Sequence, residues 1–548
     1  MGQMELRQPT IPQLLQAAGE RFGDRVAIED DGVTLTFAAL AGAGLRAAQA
    51  FCAAGIGPGE RVAIWAPNIY EWILAAVGLQ SVGGVLVPVN TRLKGDEAGY
   101  ILKASRARIL CTVGEFLGND YVDLLRGALG GAAGGRPIAG LPDLERIVLL
   151  RPATDELGEG TVTWSDFLAR GKAVPASEAR RRAAVVSSDD LSDILFTSGT
   201  TGKPKGVMTT HGQNLRVFRV WSDVVGLREG DRYLIVNPFF HGFGYKAGWL
   251  AAIMCGATIL PQAVFDVPAV LARIGRDRVS VLPGPPTLYQ MILTHPERDR
   301  YDLSSLRLAV TGAAVIPVEL IQRMRRELTF ETIITGYGLT ESTGVVTMCR
   351  YDDDPETIAT TSGRAIPDIE VRCVDSTGNE APRGQPGEVV VRGYNVMRGY
   401  LDDAAATAAA IDAEGWLHTG DVGVMDARGY LRITDRIKDM FITGGFNCYP
   451  AEIENLMLAN QALAQVAVIG VPDERLGEVG MAYVVPRPGT TVEAEALIGW
   501  CRAHMANYKV PRHVEVLESL PMNASGKVTK FVLRERAEAR VRDPGRNS

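Results

Sequence analysis

One segment constrains this chain more than any other. Between Thr197 and Gly206 stand three glycines, four hydroxyl side chains and two lysines, directly after a short apolar run. Glycine lets a backbone turn with positive φ and approach an anion closely. Successive N–H groups then form a concave anion site, with hydroxyls as further donors and lysines as point charges. The spacing is not that of a Walker A loop, because Gly199 and Gly202 do not fit GxxxxGK[ST]. No GxGxxG opens a helix after a strand either. Both observations count against a P-loop NTPase and a nicotinamide enzyme.

The chain is long enough to bury a large core around such a loop. It has 548 residues, of which 46% are hydrophobic and 22% charged, which excludes wholesale disorder. The net charge of 57 − 64 = −7 argues against a protein that binds nucleic acid by neutralising phosphates. A local pocket for a small anion remains compatible. The seven cysteines are scattered and form no CxxC pair. That spacing points away from a zinc knuckle or disulfide framework and towards a reducing compartment. The most apolar stretch, Trp72 to Val89, is broken by glycines, Gln80 and Ser81. It reads as a buried helix running into a strand, not as a membrane span. No apolar leader core follows Met1. The expectation is a soluble cytoplasmic protein without integral membrane contact.

Strand patterns alternate with helical ones through the first half. Arg61–Trp65, Gly84–Val89, Ala107–Cys111, Asp193–Thr197, Tyr233–Asn237, Val279–Leu282, Leu308–Thr311 and Glu331–Thr335 read as strands. Leu35–Ala54 reads as a helix. Such alternation predicts a largely parallel α/β architecture. From Gly363 short strands between Gly/Pro turns suggest a small antiparallel barrel or sheet. After Asp435–Asp439 the pattern becomes α+β, with helices at Pro450–Leu458 and Val492–His504 and strands at Val466–Gly470 and Met481–Val485. The predicted fold is therefore α/β: a large N-terminal domain of parallel sheets plus a small β-barrel (1–435), a hinge (436–439), and a mobile C-terminal α+β domain (440–548).

Phe196–Val207 resembles the signature loop of the adenylate-forming superfamily, specifically of its acyl- and aryl-CoA ligases. Other segments resemble that family's motifs in the family's order. Asn237–Gly244 matches the substrate-pocket motif, and Thr311–Ala314 and Thr335–Glu341 match those around acyl group and adenine. Trp416–Asp421 matches the ribose motif, Asp435–Glu454 the hinge and CoA tunnel, and Pro521–Lys527 the catalytic-lysine motif. The resemblance implies a two-step reaction using ATP, Mg²⁺ and coenzyme A. A small-molecule carboxylate attacks the α-phosphorus of ATP, releasing pyrophosphate, and a CoA thiol then displaces AMP from the acyl carbon. The first step brings an anion to a polyanion, so positioning and aimed charge must carry it.

By the same resemblance, Thr197, Ser198, Gly199, Thr200, Thr201, Gly202, Lys203 and Lys205 hold the phosphates. Thr340 contacts the α-phosphate and Glu341 holds Mg²⁺. Gly312, Ala313, Ala314, Gly336, Tyr337 and Gly338 form the adenine and acyl region. Asp421 accepts from the ribose hydroxyls, as an acceptor-only carboxylate can, with Arg436 in support. Lys527 bridges nucleophile and α-phosphate, and the adjacent glycine lets its loop enter the site. His241 is a flap beside the acyl group or, on the plainer reading, a packed core histidine. His418 is assigned a structural role. Lys438 is the hinge residue, and Gly444, Gly445 and Phe446 line the pantetheine tunnel.

Some positions depart from the family. Cys448, where a β-branched residue is usual, reads as a small buried hydrophobe. Tyr245-Lys246 is unusual; the lysine would meet a polar group on the substrate or face solvent. Phe240–Gly248 resembles ligases that thioesterify ring-bearing propanoates in steroid breakdown. Val236, Phe243, Tyr245, Val281 and glycines 312, 336 and 338 are candidate pocket walls. The substrate is thus expected to be a fatty, aromatic or ring-bearing acid. The alternative is an adenylate-forming enzyme with another acceptor, a carrier protein or an oxygenase. An amino-acid adenylation module is disfavoured, because Phe239–Gly242 occupies the place of its pocket aspartate. Homodimers are common by base rate.

Overall fold

The computed structural model describes residues 10–132, 136–153, 157–197, 203–312, 316–444, 446–522 and 528–542. The chain divides into two compact units. The first takes in the described residues up to Glu370 together with Val391–Leu417; the second takes in Val371–Val390 and the described residues from His418 onward.

Two large sheets build the first unit. One has the strand order Gly399–Tyr400, Lys205–Thr210, Leu191–Thr197, Val85–Pro88, Arg61–Trp65, Ile109–Thr112, Arg146–Leu149 and Thr161–Thr163. Its strands from Leu191–Thr197 to Thr161–Thr163 run parallel, whereas Lys205–Thr210 is antiparallel to both neighbours. Parallel strands buried on both faces read as unbroken apolar runs, as Val85–Pro88 does. In the other sheet, Arg232–Ile235 and Leu308–Gly312 are joined only through single bridges of Val281. The predicted strand Val279–Leu282 shrinks to that one residue. Pro283, Gly284, Pro285 and Pro286 follow it, and proline donates no ladder hydrogen bond.

Helices are set by local signals. His211–Val225 starts from a reciprocal capping box between Thr210 and Gln213 and ends at Gly226 in the left-handed region (φ 71°). The apolar stretch from Trp72 is the wholly buried end of helix Tyr70–Gln80, followed by the strand Val85–Pro88. That helix lies against Phe37–Ala53 so closely that a Cβ on Gly78 would sit 2.4 Å from Ala47 Cβ. Among the described residues no helix is long and apolar enough to cross a membrane.

A four-stranded sheet, mostly of the second unit, runs Ile369–Val374, Pro386–Gly393, Leu417–Met425, Leu431–Arg436, with Ile369–Glu370, Val391–Gly393 and Leu417 counted in the first unit. A further sheet is centred on the hairpin Leu463–Asp473 and Gly477–Pro486. His513–Val516 runs parallel to Gly477–Pro486. Helices Pro450–Leu458 and Ala494–His504 complete the α+β pattern.

Candidate active site

The hairpin Leu191–Thr197/Lys205–Thr210 carries the phosphate-loop candidate at its tip, closed by the rung Thr197–Lys205. Ser198, Gly199, Thr200, Thr201 and Gly202 lie outside the described residues, as do Ala313, Ala314, Gly445 and Lys527. The two lysines of the loop are each placed over an aromatic face. Lys203 Nζ lies 5.4 Å from the centre of the Tyr100 ring, and Lys205 Nζ lies 5.0 Å from that of Tyr400. A ring face attracts a cation without neutralising it.

Tyr400 also reaches the metal-side candidate. Its hydroxyl donates to Glu341 Oε1 at 2.9 Å, and the Glu341 backbone carbonyl accepts from Met397 N–H. Glu341 and Thr340 are half-buried in the short turn Thr340–Ser342. Burial and the Glu341 carboxylate both push the Tyr400 phenol up, so it stays a donor through neutral pH. Tyr400 is thus a further candidate site residue, one without a motif signal. The signal lay in strand pairing, since Tyr400 sits opposite Val207 in the loop's own sheet.

Gly312 and Gly336 form one rung of two parallel strands, and Tyr337 ends the second. A Cβ on Gly338 would lie 2.2 Å from the Gly344 carbonyl oxygen, so only glycine permits that approach. His241 is exposed, and its Nδ1 accepts from Phe243 N–H at 3.2 Å. It is not a packed core histidine. Tyr245 and Val281 have no exposed surface, so neither forms an open pocket wall. Lys246 neither faces solvent nor lines a pocket: it is buried against Asp193, 2.9 Å away.

In the second unit Asp421 and Arg436 are paired across adjacent strands, with Arg436 Nε 3.0 Å from Asp421 Oδ1. Glu388, another residue without a motif signal, holds the turn before Asp421. One carboxylate oxygen accepts from Gly420 N–H, and the other lies 2.9 Å from His418 Nδ1. His418 therefore serves the turn, in line with its structural reading. Beside the predicted hinge, burial raises the Asp435 carboxyl to about 6, against hydrogen bonds from Ala451 and Arg436 N–H. Lys438 is exposed, and its carbonyl accepts from Arg534. Gly444 takes a positive φ of 57°, and Phe446 pairs with Thr443. The Cys448 thiol is buried near Thr443 and Tyr508, and burial raises its pKa, as expected for a small apolar residue.

A model of the AMP-binding enzyme family matches residues 15–401, and that of the AMP-binding enzyme C-terminal domain matches 452–527. The chain belongs to the AMP-binding enzyme family. A member from Rhodococcus jostii (strain RHA1) is 49% identical over 96% of this chain and 99% of its own length. It is named 3-[(3aS,4S,7aS)-7a-methyl-1,5-dioxo-octahydro-1H-inden-4-yl]propanoyl:CoA ligase. A ligase of the same name from Mycobacterium tuberculosis (strain ATCC 25618 / H37Rv) is 48% identical over 96% and 98%. Among solved family structures, the anthranilate CoA ligase AuaEII in complex with anthranoyl-AMP superposes with a TM-score of 0.84. It is 28% identical and covers 99% of this chain and 100% of its own. The o-succinylbenzoate CoA synthetase from Bacillus subtilis in complex with ATP and magnesium gives 0.78 at 28% identity, covering 95% and 99%. Like these family members, this chain is an AMP-forming acyl-CoA ligase. It converts a carboxylic acid and ATP to acyl-AMP and pyrophosphate, then passes the acyl group to CoA, with Mg²⁺ as metal.

Proposed function

We propose that this ligase activates a propanoate carried on a bulky fused-ring ketone, the steroid fragment 3-(7a-methyl-1,5-dioxo-octahydroinden-4-yl)propanoate or a close analogue. The observation that carries this reading is the name shared by two relatives 49% and 48% identical over 96% of the chain. The string Phe240–Gly248 supports it from the sequence side.

Residue roles follow from the chemistry of the groups. The loop lysines Lys203 and Lys205 and the N–H groups around Ser198–Gly202 counter the triphosphate. Glu341 suits Mg²⁺: a hard cation takes oxygen ligands, and Mg²⁺ is commonly held by one or two carboxylates plus substrate phosphates. A single oriented carboxylate, with no cluster of metal-ligating side chains among the described residues, matches that mode. When bound, the ion neutralises charge on the phosphates. Thr340 contacts the α-phosphate. Asp421, held by Arg436, accepts from the ribose hydroxyls. Gly312, Gly336, Tyr337 and Gly338, with Ala313 and Ala314, frame adenine and acyl group. His241 flanks the acyl carboxylate, and Lys527 bridges that carboxylate and the α-phosphate. Adenylation needs Lys527 at the site, whereas thioester formation needs an open path for the CoA thiol. Rotation of residues 440–548 about 436–439, with Lys438 at the pivot, resolves that conflict and lets Gly444, Gly445 and Phe446 line the path. A reducing, cytoplasmic setting suits seven scattered cysteines with no CxxC pair. A homodimer is the expected assembly, checked by light scattering.

The test is a mass-spectrometric panel of short, long, aromatic and polycyclic acids with ATP, Mg²⁺ and CoA, reading acyl-CoA and AMP together. The bicyclic propanoate should yield both in equal amounts. Lys527→Ala should lose adenylation by about 10²-fold or more, as expected for an electrostatic contact of the transition state. Preference for a fatty or simple aromatic acid overturns the substrate. AMP without acyl-CoA points to another acceptor, and ADP in place of AMP overturns the mechanism.

A further inference from the structure

The buried residues below the phosphate-loop hairpin form a polar cluster that the reaction, as described, does not use. Asp193 on Leu191–Thr197 and Thr209 on Lys205–Thr210 are opposite each other in the hairpin. Both are buried, Asp193 with no exposed surface at all. Lys246 Nζ donates to Asp193 Oδ1 and to Thr209 Oγ1, each at 2.9 Å, and Thr209 Oγ1 donates to Asp193 Oδ1 at 2.8 Å. One ammonium therefore grips both legs of the hairpin at one rung. The other carboxylate oxygen, Oδ2, accepts from Ser192 Oγ at 2.7 Å and Asn214 Nδ2 at 2.6 Å. Tyr245 approaches the same oxygen at 3.5 Å, while Gln80 Nε2 donates to the Tyr245 hydroxyl at 2.8 Å.

Stability alone is a weak reason to keep such a pair. Two charges taken out of water lose hydration that their attraction barely restores, and well-packed apolar replacements are often neutral or better. Burial pushes the Lys246 ammonium down and Asp193 pulls it back up, so the two oppose each other at one atom. Location is more telling. Lys246 stands in a π-helical turn, Tyr245–Leu250, five residues after His241, and Tyr245 N–H donates to the His241 carbonyl. Gly248 breaks the helical dihedrals there (φ −86°, ψ −106°), and a Cβ on Gly244 would lie 2.2 Å from the Asn237 and Pro238 carbonyl oxygens. On the hairpin side, Asp193 precedes the loop by four residues, roughly 13 Å of strand.

We propose that Lys246, Asp193 and Thr209 are positioning residues, a buried clamp that fixes the His241 turn in register with the phosphate-loop hairpin and so aligns the acyl carboxylate with the α-phosphate. The proposal rests on the roles given above to the loop and to His241. None of the three touches substrate. Their effect is geometric, and it falls on adenylation, the step in which both segments must hold their reactants at once.

The decisive variants are Thr209→Val, which removes the hydroxyl at constant shape, and Thr209→Ser, which restores it. Adenylation is read by ATP–pyrophosphate exchange with the panel acid that the wild type turns over fastest. Thioester formation is read separately from preformed acyl-AMP and CoA. Thr209→Val should lower the exchange kcat about tenfold, with both KM values within about threefold, and leave the thioester step within about twofold. Thr209→Ser should recover most of the loss. The charge-free pair Asp193→Leu/Lys246→Met should show the same split at a retained thermal midpoint. If that pair does not fold, the two Thr209 variants decide alone. Exchange by Thr209→Val within twofold of wild type overturns the proposal, as does an equal fall in both half-reactions. No exchange by the wild type with any panel acid overturns the functional reading and this proposal together.

Discussion

Tyr400→Phe isolates one hydrogen bond at the metal-side carboxylate. The phenol donates to Glu341 Oε1 at 2.9 Å, while its ring face lies 5.0 Å below Lys205 Nζ. Phenylalanine keeps the face and the packing and removes only the donor. A hydrogen bond to a charged acceptor contributes about 1.5–3 kcal/mol. Glu341 is half-buried, so water replaces part of the loss and the lower figure applies. About 1.5 kcal/mol is roughly tenfold in rate. The adenylation kcat/KM for MgATP should therefore fall about tenfold, and the Mg²⁺ concentration for half-maximal rate should rise. The KM for the acid and the thioester half-reaction should stay near wild type. Tyr400→Leu also removes the cation–π face, worth about 0.5–1 kcal/mol at a partly exposed site, so it should lose a further two- to fivefold. Pyrophosphate exchange across a Mg²⁺ series reads all of this. Tyr400→Phe within twofold of wild type at every Mg²⁺ concentration would refute the assignment of Tyr400 as the group that orients Glu341.

His211 is buried and neutral, its Nδ1 accepting from Ile11 N–H, and burial lowers its pKa from 6.5 to about 4 against the pull of Asp193 and Asp190. Between those values the unfolded chain holds a proton that the folded chain does not. Stability is then full above 6.5 and falls by about 1.4 kcal/mol per unit as pH drops towards 4. Asp435, raised to about 6, acts in the opposite sense, its folded form binding the extra proton between 3.8 and 6. The reading is therefore the difference between wild type and His211→Asn in urea melts over this range: the variant should show the shallower fall on acidification, and equal slopes would sink the argument. Gly78→Ala should lower the thermal midpoint. Its Cβ would meet Ala47 C at 2.9 Å and Ala48 N at 3.0 Å, rigid backbone whose overpacking costs about 1–3 kcal/mol, against a helix-propensity gain of at most about 1.

What the sequence made legible is what a backbone needs locally. Positive φ, close approach and anion binding demand glycine, hydroxyl and lysine in one short run, so the phosphate loop stood out. The helix expected at Pro450–Leu458, which opens on a proline, is found with those bounds. The apolar run Val279–Leu282 keeps only the bridges of Val281, because the prolines that follow it donate no ladder hydrogen bonds. The other surprises concern side chains whose partners are remote in the chain. Tyr400 meets Glu341 across 59 positions, and Lys246 meets Asp193 across 53. A lysine after a pocket motif carries no sign of its direction. Here Lys246 stands in a turn whose backbone leaves helical geometry at Gly248, so a regular helical period does not carry through it. Lys246, which the sequence offered as either a substrate contact or a solvent-facing lysine, is buried against Asp193, and its interest moves from specificity to alignment.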